Sequence, residues 1–141
     1  MSTSLALAIA VTFVWLGMVL AISFLEAPLK FRAPGVTLPI GLGIGRLVFR
    51  ALNGIELLLA LATAILVASA SPAGSVITVA ALAPGLLLAQ LALVRPRLHR
   101  RTAAVVAGAA ARRSRAHLGY VALECAKVLS LAVTGACLLT A

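Results

Sequence analysis

The chain has 141 residues, of which 63% are hydrophobic and 11% are charged, and it carries a formal net charge of +9. A soluble domain needs about 25% charged residues to solvate its outside, and a chain this short cannot bury so much apolar surface in a water-facing globule. The composition therefore excludes a soluble enzyme, a disordered chain and a disulfide scaffold, and it indicates an integral membrane protein.

Four apolar stretches follow one another, each close to the roughly 20 residues that cross a hydrocarbon core as a helix. They lie at about 5–25, 47–68, 76–94 and 118–139. The segment 69–75 is rich in Ser, Pro and Gly, which predicts a tight hairpin between the second and third stretches. We therefore expect one all-α domain over residues 1–141, an integral membrane four-helix bundle.

Most of the positive charge lies in two segments between the apolar stretches. The first contains Lys30, Arg32 and Arg46, and the second contains Arg95, Arg97, Arg100, Arg101, Arg112, Arg113 and Arg115. Because basic loops stay in the cytoplasm, we expect both termini on the non-cytoplasmic side. Small size and an Ala-, Leu- and Arg-rich composition favour a bacterial inner membrane.

The basic segments are expected to contact anionic lipid headgroups, which attract each Lys or Arg by about 1 kcal/mol. Nucleic acid is not an expected partner, because its recognition needs a basic face with groove-binding or stacking elements. The chain is small for a transporter, which favours a homo-oligomer.

Polar and ionisable side chains inside the spans are the candidate site residues, because a charge at the bilayer centre costs at least about 2.5 kcal/mol. Those of the second span are spaced 4, 3 and 3 residues apart, and those of the fourth 3, 4 and 3, so each set lies on one helix face. The polar ladder comprises Glu26, Arg46, Arg50, Asn53, Glu56, Gln90, His117, Tyr120, Glu124 and Lys127.

The depths of these residues predict which of them meet. At 1.5 Å per residue, Glu56 and Lys127 each lie about 15 Å from the cytoplasmic ends of their spans, which predicts an ion pair near mid-membrane. Asn53 and Glu124 both lie at about 10 Å, and we expect Glu124 to contact Asn53 and Arg50. The other polar side chains are expected nearer the cytoplasmic surface: Glu26, Gln90, His117 and Tyr120.

The polar ladder predicts binding or transport of a small polar or ionic solute in the cytoplasmic half of the bundle, with proton coupling through Glu124 and His117. A purely structural role is the alternative, because interhelical polar contacts of about 0.6 kcal/mol fix which helices pack. We predict no catalytic residue, no cofactor and no metal site, since His99 and His117, the two histidines, lie on different segments.

Two further features have a simpler interpretation. Gly41, Gly43 and Gly45 lack the preceding strand, the lysine and the hydroxyl of a phosphate-binding loop, and they predict close helix packing or a flexible re-entry. Trp15 lies in the middle of the first span and is expected to pack against neighbouring helices.

Three short motifs in the first half of the chain carry a family resemblance. They are Trp15-Leu16-Gly17, then Glu26-Ala27-Pro28 with Phe31, then Gly45-Arg46-Leu47-Val48-Phe49. Together they resemble a family of small four-helix membrane domains related to the copper-resistance protein D group. The resemblance implies a four-helix membrane bundle that handles metals or small toxic solutes. Copper is not carried over, because the chain lacks Met- and His-rich ligand sets.

A second resemblance lies in the second span. Arg46, Arg50, Asn53 and Glu56 are similar to a stripe in the membrane-associated eicosanoid and glutathione metabolism family, whose members are four-helix proteins of about this length. This resemblance implies glutathione binding at a trimer interface, with Arg46, Asn53 and Glu56 as contacts of the thiol cofactor. A membrane-bound glutathione-dependent transferase is therefore an alternative function.

Overall fold

The computed structural model describes residues 1–94, 96, 100, 102–104 and 115–141. Its four long helices are α1 (Thr3–Val19), α2 (Leu38–Ala70), α3 (Gly74–Ala89) and α4 (Arg115–Leu139). Two of these helices continue as π-helical segments, α1 through Leu20–Glu26 and α3 through Gln90–Val94. The first segment is followed by a short α-helical turn, Ala27–Leu29, and a 3₁₀ turn, Lys30–Arg32.

All four helices are long and apolar enough to cross a membrane, which confirms the expected all-α architecture of four apolar helices. The candidate spans are Thr3–Arg32, Leu38–Ala70, Gly74–Leu93 and Leu118–Leu139. The spans carry an exposed apolar surface, with side chains such as Leu58 and Leu129 more than 60% exposed. Such an outer surface is suited to acyl chains, which offer no polar partners.

The second span begins nine residues earlier than the sequence suggests, at Leu38 instead of about 47. The hydroxyl of Thr37 caps this start by accepting from the backbone N–H of Ile40 at 3.4 Å. Pro39 lies in the first turn, where its missing N–H has no helical acceptor to lose. Only five residues, 33–37, therefore connect the helical turns after α1 with α2.

The buried positions of α1 recur every three or four residues, the spacing of left-handed helical bundles. They are Leu5, Ala8, Thr12, Trp15 and Val19, and the buried side chains of α4 are Tyr120, Glu124, Lys127, Ser130, Leu131, Thr134 and Leu138. The packing is cyclic: α1 contacts α2, α2 contacts α3, α3 contacts α4, and α4 contacts α1. Side chains from α2 and α4 thus meet across a diagonal of the bundle.

Apolar packing fills one end of the bundle, where both termini and the α2–α3 turn lie; we call it the terminal end. Leu5, Ala8, Val67, Ala80 and Leu138 form a buried cluster there, with residues from all four helices. A second cluster lies further in and contains Trp15, Leu87 and Leu131. Beyond it the interior becomes polar.

Glycines let side chains of neighbouring segments approach the helix backbones. A Cβ on Gly41 would overlap the ring of Phe31, and one on Gly45 would lie 2.8 Å from Nζ of Lys30. The expected close packing is therefore confirmed at these two positions. A Cβ on Gly43 would meet no other described atom within 4 Å.

The α1–α4 contact depends on Gly135, where a Cβ would lie 2.6 Å from Cζ of Phe13. We expect Gly135→Ala to lower the free energy of unfolding by about 1–3 kcal/mol, the usual cost of overpacking, as measured by thermal unfolding in detergent. Gly119→Ala is the matched control, since a Cβ there would meet no described neighbour. Equal stability of the two variants would contradict this packing, and Phe13→Leu should rescue Gly135→Ala.

Candidate functional site

The polar interior is centred on an ion pair between α2 and α4. Nζ of Lys127 lies 2.7 Å from Oε1 of Glu56, and both side chains are fully buried. Glu56 lies 14 residues from the end of α2 and Lys127 lies 12 residues from the end of α4, so both lie about 18–21 Å from the terminal end at 1.5 Å per residue. The expected pair is present, and it crosses the diagonal of the bundle.

Every N–H of Lys127 has an acceptor. Besides Glu56, its ammonium contacts Oε2 of Glu124 at 3.1 Å and Oε1 of Gln90 at 2.8 Å. An ammonium has three donors and no acceptor, so three oxygens satisfy it completely. This saturation allows a lysine to stay charged where lipid offers no partner.

Glu124 is bound on both carboxylate oxygens. Oγ of Ser23 donates to its Oε1 at 2.7 Å, and Nε2 of Gln90 donates to its Oε2 at 2.5 Å. Ser23 and Gln90 belong to the two π-helical segments. Glu124 thus joins the two places where the helices depart from α geometry, and π-helical turns occur frequently at functional sites.

Trp15 also contributes to the polar interior. Its indole Nε1 donates to Oε1 of Glu56 at 2.8 Å, and its ring is fully buried within the second apolar cluster. The expectation that this side chain packs against neighbouring helices is correct, but its hydrogen bond was not anticipated. Together these residues form the central cluster: Trp15, Ser23, Glu56, Gln90, Glu124 and Lys127.

The central cluster contains two carboxylates and one ammonium, and so has one negative charge in excess when all three groups are ionised. Arg46 and Arg50 are exposed, and Lys30 pairs with Glu26 at 3.8 Å. Lys127 is therefore the one cation in the described part of the chain that contacts these carboxylates. Two buried oxygens on α2, Oε2 of Glu56 and Oδ1 of Asn53, have no hydrogen-bond partner among the described residues.

Two of the expected contacts are wrong. Glu124 was expected to meet Asn53 and Arg50, but Arg50 is exposed and Glu124 instead contacts Ser23, Gln90 and Lys127. Gln90 was expected near the surface, yet it lies in the central cluster. The reason is that Gln90 lies 16 residues from the terminal end of α3 and Glu56 lies 14 residues from the terminal end of α2, so the two side chains are at similar heights.

A second polar layer lies between the central cluster and the α1–α2 connection. The Lys30 ammonium lies 5.5 Å from the ring centroid of Phe31 and 5.7 Å from that of Phe49, within the range of cation–π attraction. Phe49 in turn packs edge-to-face on Tyr120 at 5.8 Å. Glu26 belongs to this layer through its pair with Lys30, and neither Glu26 nor Tyr120 is part of the central cluster.

The remaining ladder residues do not join either layer. Arg46 and Arg50 are exposed on α2, whereas Asn53 and Glu56 are buried. The four residues that are similar to the glutathione-binding stripe therefore do not share one exposed face. The side chain of His117 lies outside the described residues.

Sequence reasoning missed Trp15, Ser23 and Lys30. A signal for the first two was present, because residues 5, 8, 12, 15, 19 and 23 follow the three–four spacing of one buried helix face. Ser23 continues the face that contains Trp15. Lys30 had no such signal, since its position depends on the glycine at 45, which leaves room for its ammonium.

Comparison with protein-family models, with curated proteins and with solved structures finds no match to this chain. Within the described residues, no group of three or more His, Cys, Asp or Glu side chains could hold a metal ion.

Because the central cluster has two carboxylates and one ammonium, removing the Lys127 ammonium should strongly lower the stability of the protein. Lys127→Met leaves two buried carboxylates without their cation, and we expect it to lower the free energy of unfolding by about 3–5 kcal/mol, as measured by denaturant unfolding in detergent micelles. Leu129→Met, two residues along on an exposed position, should be close to neutral. Adding Glu56→Gln to Lys127→Met should recover part of the loss. Equal stability of Lys127→Met and Leu129→Met would contradict the buried ion pair.

Proposed function

We propose that this chain is an integral membrane protein that binds or transports a small polar or ionic solute at the central cluster, with proton coupling through Glu124. The observation that carries this function is the excess negative charge of the central cluster. A cluster that served assembly alone would be expected to balance its own charges, because an unpaired buried charge costs several kcal/mol. A site that takes up a proton or another cation, by contrast, needs one carboxylate that has no cationic side chain of its own.

The two π-helical segments give additional support. Ser23 and Gln90 donate to the two oxygens of Glu124 from these segments. Protonation or displacement of this carboxylate would therefore change hydrogen bonds to two helices at once. A membrane site that admits and releases a solute needs such an element with two arrangements. The full burial of Lys127 and Glu56 corresponds to a closed arrangement in this scheme.

A structural role is the second candidate, and a specific observation favours it. The central cluster takes side chains from α1, α2 and α4 and from both π-helical segments, and all donors of Lys127 are satisfied. Such a network fixes which helices pack together and in what register. The glutathione-dependent transferase is a weaker candidate, because the stripe that suggests it is split between exposed and buried positions.

The same proposal includes the orientation and setting of the protein. The basic segments would face the cytoplasm, where they meet anionic headgroups, and both termini would lie on the other side of a bacterial inner membrane. The central cluster would then lie in the cytoplasmic half of the bundle. A homo-oligomer and a relationship to the copper-resistance protein D group belong to this proposal as well.

Proton flux tests the transport function directly. Purified protein is reconstituted into vesicles that contain a pH-sensitive dye, and a potassium diffusion potential drives proton entry. We expect the interior of vesicles with the parent protein to acidify faster than that of empty vesicles, and Glu124→Gln to reduce the rate to that of empty vesicles. The reason is that an amide has nearly the shape of the carboxyl group but cannot take up and release a proton.

Cys125→Ala is the matched control for this flux experiment, because Cys125 is the neighbour of Glu124 on α4 but is exposed. Its vesicles should conduct like the parent. If parent and empty vesicles show the same rate, proton-coupled transport is contradicted and the structural role is favoured. Equal rates for the parent and Glu124→Gln would contradict the role of this carboxylate.

The proposed orientation is tested by cysteine labelling in intact cells. In a background in which Cys125 and Cys137 are alanine, Ser71→Cys in the α2–α3 turn should react with a membrane-impermeant maleimide added from outside. Ala33→Cys in the α1–α2 connection should react only after the cells are permeabilised. The reverse pattern would contradict the proposed orientation.

A further inference from the structure

We propose that the solute bound at the central cluster is a single proton, held on Oε2 of Glu56 and donated to Oδ1 of Asn53. This inference rests on the proposed function and names its ligand. The starting observation is that both oxygens are buried and lack a hydrogen-bond partner among the described residues. Two buried acceptors without a donor are costly, and one shared proton supplies that donor.

The hydrogen bonds of Glu56 have the pattern of a carboxylic acid. Its Oε1 accepts from Trp15 at 2.8 Å and contacts Lys127 at 2.7 Å, whereas its Oε2 receives no donor from the described residues. A protonated carboxyl group has one carbonyl oxygen that accepts and one hydroxyl that donates. Oε1 occupies the first role, and Oε2 is left for the second.

Glu124 has the opposite pattern, that of an ionised carboxylate. Ser23 donates to Oε1, and Gln90 and Lys127 both contact Oε2. An ionised carboxylate is acceptor-only, and donors are present on both of its oxygens. The proton is therefore assigned to Glu56, and the ion pair that remains is between Lys127 and Glu124.

The position of Asn53 makes it the acceptor. It lies three residues before Glu56 on the buried face of α2 and is 5% exposed, and side chains three residues apart on a helix are neighbours. The charged groups facing Glu56 are Lys127 and Glu124 from α4; α1 presents the neutral Trp15. A proton on Glu56 makes this set electrically neutral.

The ligand chemistry favours a proton over a metal cation. Hard cations such as Mg²⁺ and Ca²⁺ take six or more oxygen ligands, but this stretch of α2 offers two buried oxygens that lack donors among the described residues, Oε2 of Glu56 and Oδ1 of Asn53. A proton needs one donor oxygen and one acceptor oxygen. The number of available oxygens therefore fits a bound proton and is too small for a hard metal cation.

Infrared spectroscopy tests this assignment with little ambiguity, because the chain has only three acidic side chains, Glu26, Glu56 and Glu124. The full-length protein is measured in a detergent without ester groups, at neutral pH and without sodium. We expect a carboxylic-acid C=O band in the parent that shifts in D₂O. The band should be absent from Glu56→Gln and unchanged in Glu26→Gln.

A matched pair of variants assigns the proton to one carboxyl group. Asn53→Ala removes the acceptor of Glu56 and should shift the band to higher frequency, whereas Ser23→Ala removes a donor of Glu124 and should leave the band in place. A shift in Ser23→Ala but not in Asn53→Ala would overturn the assignment to Glu56. The absence of any carboxylic-acid band in the folded parent would overturn the proton site altogether.

The infrared result is independent of the flux result. A band assigned to Glu56 without proton flux would contradict transport and leave the bound proton as a fixed part of the bundle. Proton flux without this band would support transport and overturn the proton on Glu56. The folded state of each variant is checked by its helical circular dichroism in the same detergent.

Discussion

The structure depends on supplying hydrogen-bond acceptors to one buried ammonium group, that of Lys127, because lipid offers none. Lys127 is fully buried, and three oxygens from α2, α4 and the segment after α3 accept its three N–H groups. Each of those oxygens belongs to a side chain that is itself buried. The position of Lys127 therefore determines which residues the other helices must supply and at what height.

Around this requirement the bundle is arranged in layers. Small and aliphatic residues fill the terminal end, where Ala80 lies among larger side chains such as Leu5 and Leu138. The central cluster follows, and then the layer of Lys30 with its aromatic neighbours. The two apolar clusters thus separate the central cluster from the terminal end.

Helical spacing and composition were enough to predict the four spans and the pairing of Glu56 with Lys127. Both follow from a regular rise per residue and from the cost of leaving a charge in lipid. The depth of Gln90 could not be predicted in this way, because it was counted from a predicted span end at 94, whereas residues 96, 100 and 102–104 are also helical. Counted from the terminal end, Trp15, Glu56, Gln90 and Lys127 lie 12 to 16 residues in.

The hydrogen bonds of Trp15 and Ser23 also could not be predicted from their residue types, since neither is ionisable and both are common within membrane spans. Their roles depend on the rotation of α1 about its axis, which the buried face from Leu5 onward sets. The π-helical segments had no sequence signal that we recognised. They arise where α1 and α3 pass the central cluster.

The π-helical segment after Val19 interrupts the α geometry of the first span between Trp15 and the short turn at Ala27–Leu29. Each backbone N–H in such a segment bonds five residues back instead of four, so the chain holds one residue of slack per turn. Taking up that residue would rotate everything beyond it by about 100°. Trp15, which precedes the segment, would then keep its hydrogen bond to Glu56, while Ser23, which lies within the segment, would move away from Glu124. The first span would then change its rotation at this segment, which lies next to the buried charged groups of the central cluster.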